Sequence, residues 1–552
     1  MGQNTGLRWV KCHCRLSGRT STLFVLRTPN CDRPTAAIAS YSDFLQIPKK
    51  PAPPTARPTP KGMPTVSEDT VFPAARLFAL TALAIAIHGY HLGADDAAIY
   101  IPAIKRAADP SLYPFGDAFF LSHAHLSLFP NLIGGSARLA HLPVDTVILA
   151  WHAFGIFLLL TAAWQFLGLC FRNSHARWCG VALLAATLSV PVAGTALAIM
   201  DPYLTARSLS TPATLFAVTA WFGGRRLHAL FWLAAAAAVH PQMAAYGAAL
   251  FACDALVRYS VRLRWREPAW GMAAALPFAL DFAPVSGPAR ACLLSRAFFF
   301  VSTWTWYEWL GVFAPLLLLA WWRRSAPRNT LPAFTGIAGA LLPFGVLSTA
   351  IALVFDLFLR LESYARLQPM RSFHLLYVIF FLLLGGVVGE YALRARPLRW
   401  ALLFVPIACG MLLVDRAAYP ASSHLEWPGA AGRNSWLSAF LWVRTHTPKN
   451  AVFALDPAYM SARGEDAHGF RAVAERSVLA DAVKDSGAVS LFPRLAAEWS
   501  REVAATQGLN SFTLSDYRTL ATRYPVTWIL TDHVPAGLTC PYDDGTLAVC
   551  RL

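Results

Sequence analysis

Long apolar runs recur along residues 74–415 and constrain the fold of this chain more than any other feature. Hydrophobic residues make up 56% of the 552 residues, and charged residues only 14%. A soluble globular protein carries about 25% charged residues. Apolar runs near 20 residues long can cross a bilayer as helices, because a helix satisfies its own backbone polar groups. The sequence therefore predicts an α-helical polytopic membrane protein.

The apolar runs predict about eleven crossings. The first covers residues 74–92, and the acidic outer loop after it, residues 93–125, is expected to contain an interfacial helix from Asp96 to Ala108. Residues 126–142 are too short and broken for a crossing and are interpreted as re-entrant or interfacial. Further crossings are predicted near residues 146–170, 178–200, 209–222, 229–240, 242–257, 268–283, 301–322, 331–355, 373–393 and 400–415.

The charge distribution predicts the orientation of these crossings. Residues 73–415 contain 24 basic and 14 acidic residues. With the N-terminus inside, 15 of the basic residues lie at inner ends, whereas 11 of the acidic residues lie at outer ends. This asymmetry follows the positive-inside rule and does not indicate nucleic-acid binding. We therefore expect a cytoplasmic N-terminus, a multispanning domain over residues 73–419 and a C-terminal region outside the cytoplasm.

The residues before the membrane domain differ from it in composition. Residues 1–72 include a proline-rich segment, residues 48–60, and are expected to form a largely disordered extension. Met63 is a second candidate start, in which case residues 1–62 are not translated.

The residues after the membrane domain predict a small soluble α/β domain, residues 420–552. Short apolar runs typical of buried strands cover residues 450–456, 525–531 and 546–552, and Ser490 to Ala505 has a helical pattern. Cys540 and Cys550 flank Asp-Asp-Gly, which is a hairpin signal. Since the domain is predicted to lie in an oxidising compartment, we expect these two cysteines to form a disulfide.

Two adjacent carboxylates, Asp95 and Asp96, stand where the chain leaves the first predicted span. A charge at a membrane boundary is costly unless it is solvated, paired or functional. Capping of the following helix by Asp95 would account for one aspartate but not for the pair. A positioned carboxylate can act as a general base, so both residues are candidate catalytic groups.

Five further outer-face residues are candidates for substrate binding. Arg207 either snorkels to the membrane surface or binds a phosphate with its planar fork. His240, between two short apolar runs, is either satisfied within the helical bundle or part of a site. Arg366 and Arg371 either pair with nearby acids or bind an anionic head group.

The fifth candidate is Glu308, which lies in the aromatic segment Thr303-Trp-Thr-Trp-Tyr-Glu-Trp309. The segment is either an interfacial aromatic belt or a platform for a sugar ring or a lipid isoprene unit. Glu308 has no evident structural task in the sequence, which favours the second interpretation.

Several established motifs are missing from the sequence. It contains no Walker loop, no G-x-G-x-x-G after a strand, no H-E-x-x-H and no G-x-S-x-G. Their absence argues against ATP-driven transport and soluble nucleotide chemistry. No cofactor is predicted with certainty, although Asp95 and Asp96 could bridge a divalent metal.

The layout over residues 74–552 resembles the GT-C glycosyltransferases, with an acidic outer loop after the first span, many crossings and an outer C-terminal domain. Short motifs are similar to those of an uncharacterised group of bacterial multispanning proteins: Gly93–Tyr100, Leu112–Phe115, Phe119–His125, Arg207–Pro212 and His240–Met243. The resemblance implies sugar transfer from a polyprenyl-phosphate carrier at the outer face of the bacterial inner membrane. The family's external acidic motif maps onto Asp95 and Asp96.

The chemistry of that transfer matches the candidate residues. A carboxylate would take the acceptor proton, and arginines such as Arg207, Arg366 or Arg371 would bind the departing lipid phosphate. The expected partners are a polyprenyl-phosphate-linked sugar and membrane lipid, without nucleic acid. Two alternatives remain open at this point: a transporter or flippase of a lipid-linked or anionic solute, and a membrane assembly factor.

Overall fold

The computed structural model describes residues 73–262 and 284–552, together with two strands of the N-terminal extension. These strands, Trp9–Leu16 (β1) and Arg19–Leu26 (β2), pair antiparallel with Trp9 opposite Leu26. They belong to a unit, Met1–Glu68, that is separate from Asp69–Leu552. The proline-rich segment lies outside the described residues, and the expected disorder of residues 1–72 stays a prediction.

Helices dominate the membrane part, and their bounds follow the apolar runs closely in most places. They are α1 (Ala74–His88), α2 (Ala97–Ala108), α3 (Ala118–Ala124), α4 (Phe129–Ala140), α5 (Val144–Cys170), α6 (Ser174–Ala186), α7 (Ala206–Phe222), α8 (Arg226–Val239), α9 (Pro241–Arg262), α10 (Gly287–Leu294), α11 (Trp306–Arg324), α12 (Pro332–Leu357), α13 (Phe373–Val388) and α14 (Pro397–Ala418). The predicted interfacial helix is present as α2. The span predicted at 268–283 lies outside the described residues.

Four described segments are long and apolar enough to cross a membrane, so the chain is an integral membrane protein. They are α5, α12, Leu359–Leu393 (which contains α13) and α14. The shorter helices α1 and α8 are also apolar. The predicted count of about eleven crossings is not confirmed, because several predicted spans correspond to helices below this length.

The largest departure from the predicted spans follows α6. A crossing was predicted over residues 178–200, but α6 ends at Ala186 and irregular chain continues to Thr205. Pro191 cannot donate a helical hydrogen bond, and Ala193 and Ala196 adopt positive φ angles of 45° and 53°. The apolar composition of this stretch thus reflects burial in the protein and not a helical span.

The C-terminal domain, residues 420–552, is a five-stranded mixed sheet covered by short helices. We call it the outer domain, and residues 93–125 the first outer loop, after their predicted location. The strand order is β4-β3-β5-β7-β6, with β3 parallel to both β4 and β5, and β7 antiparallel to β5 and β6. The strands are β3 (Val452–Ala454), β4 (Ser477–Val478), β5 (Trp528–Thr531), β6 (Thr539–Asp543) and β7 (Ala548–Arg551). The helices are α15 (Ser435–His446), α16 (Phe470–Ala474), α17 (Asp485–Leu491), α18 (Ala496–Thr506) and α19 (Leu514–Arg523).

Two features of this domain correspond to the sequence expectations. Strands β3, β5 and β7 fall within the three predicted apolar runs, and α18 overlaps the predicted helix. A disulfide joins Cys540 on β6 to Cys550 on β7 across the hairpin.

The outer domain packs directly on the first outer loop. The backbone N–H of Asp95 donates to the Ala467 carbonyl (2.8 Å), and that of Gly469 donates to the Gly93 carbonyl (2.9 Å). A Cβ at Gly469 would lie 2.4 Å from the Cβ of Ala98, so only glycine allows this approach. The candidate aspartates and the outer domain therefore lie on the same side of the membrane part.

Candidate active site

The backbone holds Asp95 in a conformation that few residues adopt. Its φ angle is 49°, in the left-handed region, and its N–H is fixed by Ala467. Such strain persists only where the surroundings over-determine it, and it is frequent at functional sites. Asp96 occupies the N-cap position of α2, yet its side chain makes no capping hydrogen bond. Helix capping therefore does not explain the aspartate pair.

The carboxylates instead make charged contacts with other elements. Asp96 Oδ2 lies 3.1 Å from the Arg207 guanidinium, which also contacts Asp201 Oδ2 at 2.7 Å. Lys484, from the loop before α17, donates to Asp95 and also to Asp96 Oδ1 at 3.2 Å. These contacts join the first outer loop, the start of α7 and the outer domain.

The two aspartates differ in exposure and in electrostatic environment. The Asp95 side chain is 48% exposed and accepts a hydrogen bond from the Tyr203 hydroxyl at 3.0 Å, whereas the Asp96 side chain is 26% exposed. Burial raises the pKa of Asp96, but the charges of Lys484, Arg207 and Arg371 outweigh it and hold this pKa well below its usual range. Asp96 is thus a fixed anion.

Lys484 is held with similar rigidity. Asp481 Oδ1 accepts hydrogen bonds from the backbone N–H groups of Val483 (2.8 Å) and Lys484 (2.5 Å), which fixes the loop. Burial lowers the pKa of the Lys484 ammonium, but the charges of Asp96 and Asp95 more than compensate and raise this pKa above its ordinary value. The outer domain therefore contributes a permanent cation to the site.

A cationic region adjoins the aspartates on the other side. The guanidinium of Arg371 lies 5.2 Å from the Phe298 ring centroid, and its charge acts on Asp96 and Arg207. Its buried Nε has no hydrogen-bond partner among the described residues, and neither does the buried Nδ1 of His240. Buried polar atoms are normally satisfied, so these two indicate a place for an anion or a polar ligand.

His123, on α3, completes this region. Its Nε2 lies 3.2 Å from the Tyr100 hydroxyl. Burial lowers the pKa of His123 to about 4; the Asp96 charge opposes this effect and the arginines reinforce it. The imidazole is therefore neutral at physiological pH and can donate or accept a hydrogen bond without adding charge.

A cavity of about 560 Å³ opens beside the aspartates. Its walls come from the first outer loop, the irregular chain after α6, the turns before α11 and the outer end of α14. Trp304 and Glu308 line it together with Asp95 and Asp96, so the predicted aromatic segment does reach the site. The volume is typical of a small-molecule site.

Glu308 has a structural task that the sequence analysis did not assign. Its Oε2 accepts hydrogen bonds from the Thr305 backbone N–H (2.7 Å) and the Thr305 hydroxyl (2.8 Å), forming a capping box at the start of α11. The statement that Glu308 has no structural role is therefore wrong. Its carboxylate still borders the cavity.

Arg366 lies away from this constellation. It lines a different cavity of about 620 Å³, between the start of α10 and the outer domain, together with Arg494. Asp95, Asp96 and Glu308 thus line one cavity, and Arg207 contacts Asp96 beside it. Arg371 interacts electrostatically with Asp96 and Arg207, and His240 with Arg207 and Arg371, whereas Arg366 lines a different cavity.

Behind the aspartates lies a buried network of histidines and carboxylates. His91 contacts Asp415 and Glu426, each at 3.3 Å, and His468 Nε2 lies 2.9 Å from Glu426 Oε1. Burial lowers the pKa of His468, but Glu426 and Glu465 outweigh that effect and raise it to about 10. Burial raises the pKa of Glu426, yet hydrogen bonds from His468 and His91 lower it to about 2.

The residues do not fit a metal bridging the two aspartates. The Lys484 ammonium contacts both carboxylates and already supplies a positive charge between them. No group of three or more His, Cys, Asp or Glu side chains in the described part of the chain is arranged to hold a metal ion.

Four residues of the site were not among the predicted site residues: Lys484, Asp201, Tyr203 and His123. Asp201 and Tyr203 stand close to Arg207 in the sequence, so a charged and aromatic cluster at that outer turn was a usable signal. Lys484 is nearly 390 residues from Asp95, as the contact itself records. Nothing local to it indicates that contact.

The fold and the site together define a helical membrane protein in which the C-terminal domain contacts the acidic loop that lines a cavity, with Arg207 beside that loop. No protein-family model matches the sequence, and no curated protein matches it. Among solved structures, the chain is similar to the arabinofuranosyltransferase AftD from Mycobacteria, at 15% identity and a TM-score of 0.43. That similarity covers 87% of this chain and 39% of AftD. Values this low assign no activity.

Proposed function

We propose that this protein is a membrane glycosyltransferase that uses a polyprenyl-phosphate-linked sugar at the outer face of the membrane. The observation that supports this most directly is the aspartate pair at a cavity of suitable size, with the cations Lys484, Arg207 and Arg371 around it. Glycosyl transfer needs a base for the acceptor and positive charge for the leaving phosphate. Both requirements are met within one cluster.

In the proposed reaction, Asp95 is the general base. Its carboxylate is nearly half exposed at the cavity, whereas Asp96 is held by Arg207 and has a lowered pKa that makes it a poor proton acceptor. The acceptor hydroxyl oxygen attacks the anomeric carbon of the donor, and its proton passes to Asp95. The bond between that carbon and the phosphate oxygen breaks, and the lipid phosphate leaves with the electron pair.

The departing phosphate is proposed to bind Arg371 and, beside it, His240. Both offer a buried ring or guanidinium nitrogen without a partner in the described chain. Arg207 is already paired with Asp96 and Asp201, so its role is to position Asp96 and to add positive potential. Of the three arginines that the sequence offered for the phosphate, this proposal selects Arg371.

The test is sugar transfer in membranes supplied with radiolabelled polyprenyl-phosphate-linked pentoses and hexoses. Asp95→Asn preserves the shape and removes the base, so we expect the rate to fall by about 10²–10⁴. Asp96→Asn should have a smaller effect, because it releases Arg207 without removing the base. Arg371→Ala should mainly raise the KM for the donor.

Asp532→Asn, at an exposed carboxylate of the outer domain, is the matched control and should transfer at the normal rate. All variants are compared at equal amounts of membrane-inserted protein. Normal turnover by Asp95→Asn and Asp96→Asn together would remove the catalytic assignment. Movement of the intact donor across vesicles without sugar transfer would instead identify a flippase.

A further inference from the structure

A second outer-face cavity, of about 670 Å³, lies between the loop that follows α14 and helix α15. Its lining combines aromatic, polar and charged side chains, including Trp427, Trp442, Arg433 and Arg444. Trp427 is 57% exposed. Arg433 is also exposed and has no ion pair or side-chain hydrogen bond to another residue that the structure describes. None of these residues takes part in the reaction proposed above.

The loop that presents Trp427 is rigidly held. The Ala430 N–H donates to the Trp427 carbonyl (3.0 Å), closing a turn with Pro428 and then Gly429 at its centre. Gly429 has a φ angle of 84°, which suits a type II turn. Glu426, immediately before the turn, accepts from the Leu92 N–H at 2.9 Å. The indole is thus displayed on a preorganised loop, which reduces the entropy lost on binding.

The charges in this cavity are largely neutralised, which argues against an anionic ligand. Arg444 pairs with Asp145 at 2.5 Å and with Glu475 at 2.9 Å, and Glu426 pairs with buried histidines. Among the charged residues that line this cavity, Arg433 is the one without an ion pair to any residue that the structure describes. Exposed aromatic faces combined with hydrogen-bonding groups and little net charge suit a neutral polyhydroxylated ligand.

The cavity shares a wall with the candidate active site. Asp415 lines the active-site cavity and Glu426 lines the second one, and His91 contacts both carboxylates at 3.3 Å. Leu92 lines the second cavity, while Asp95, three residues later, lines the first. The two cavities therefore lie on opposite sides of His91, and a ligand in the second cavity would be next to the candidate active site.

We propose that this cavity binds an oligosaccharide acceptor, with a sugar ring stacked on Trp427 and a hydroxyl hydrogen-bonded to Arg433. The inference rests on the proposed transferase function for its biological meaning, but saccharide binding is measurable without transfer. It distinguishes the residues that hold the remote part of the acceptor from those that act on its terminal hydroxyl.

The experiment titrates the full-length protein in detergent with linear oligosaccharides of arabinose, mannose, glucose and N-acetylglucosamine, using tryptophan fluorescence and calorimetry. We expect one of these to bind, and Trp427→Ala to weaken that binding about tenfold or more, because the stacking surface is lost. Arg433→Gln should weaken it less. Trp321→Ala, at an exposed tryptophan on α11, should bind normally.

Transfer kinetics then separate this proposal from the previous one. Trp427→Ala should raise the KM for the acceptor and leave kcat unchanged, while Asp95→Asn should lose transfer and retain saccharide binding. The proposal is overturned if no oligosaccharide of the panel binds, or if Trp427→Ala binds as tightly as the wild type. It is also overturned if inorganic phosphate competes with the oligosaccharide and Arg433→Gln abolishes this competition, since the site would then recognise an anion.

Discussion

Replacing His468 with glutamine should loosen the outer domain from the catalytic loop. His468 is fully buried between Glu426 and Glu465, and its backbone neighbours Ala467 and Gly469 hold the loop by hydrogen bonds. Glutamine keeps hydrogen-bonding capacity but removes the positive charge. Two buried carboxylates then lose their principal countercharge, and breaking a buried pair in this way costs about 3–5 kcal/mol.

The pKa values give the same magnitude. A rise in the pKa of His468 from 6.5 to about 10, at about 1.4 kcal/mol per pH unit, corresponds to about 5 kcal/mol. The fall in the pKa of Glu426 from 4.5 to about 2 corresponds to about 3 kcal/mol. The value of about 3 kcal/mol for Glu426 includes the effect of His91, which also contacts this carboxylate. The two values describe the same interaction, so they give a range of about 3–5 kcal/mol and are not added.

Hydrogen–deuterium exchange measures this cost locally. The N–H groups of Asp95 and Gly469 donate across the contact between loop and domain, so their exchange reports its opening. A loss of about 3–5 kcal/mol should accelerate this exchange about a hundredfold to a few thousandfold in His468→Gln. His533→Gln, at an exposed histidine of the same domain, should exchange as the wild type does.

The pH dependence has a defined sign. Because folding raises the pKa of His468, its contribution is complete below about pH 6.5 and is lost as the pH rises through about 10. Wild-type exchange at these amides should therefore accelerate between these values beyond the intrinsic base-catalysed increase, and His468→Gln should lack that extra term. If these amides exchange in the variant within about threefold of the wild-type rate at pH 6, His468 does not hold the domain against the loop. A threefold change corresponds to only about 0.7 kcal/mol.

Three further predictions concern the site, the disulfide and the topology. Lys484→Gln should raise the pKa of Asp96 and lower the transfer rate, with Lys484→Arg closer to the wild type; equal rates for all three proteins would remove Lys484 from the mechanism. Cys540 and Cys550 should appear as a disulfide-linked peptide in non-reduced mass spectra of protein from native membranes, and their bond should contribute about 2–3 kcal/mol by constraining the unfolded chain. A reporter fused after Leu552 should behave as exported, and cytoplasmic behaviour would reverse the predicted orientation.

The helical membrane class, most helix positions and the small C-terminal sheet could be predicted from the amino-acid sequence alone. The length of the apolar runs and the low content of charged residues make this prediction possible. In a bilayer the backbone must satisfy its own hydrogen bonds, and an α-helix does so. Strands β3, β5 and β7 and the Cys540–Cys550 hairpin were likewise predictable from local patterns. The irregular chain after α6 could not be predicted. Its apolar residues are buried within the protein, and their composition resembles that of a transmembrane helix.

The contacts among the candidate residues depend on the tertiary fold and could not be predicted from the sequence. Asp95 and Asp96 were evident as a pair, but the contact with Lys484 depends on docking of a domain that begins more than 300 residues later. Glu308 was misjudged because its capping partner, Thr305, shows its role only once the start of α11 is fixed. Arg366 and Arg371 looked equivalent in sequence, yet the turns between α12 and α13 place Arg366 at a separate cavity and Arg371 within electrostatic range of Asp96 and Arg207. The spacing of apolar residues determines the helices and strands locally, whereas the site forms from contacts between residues that are far apart in the sequence.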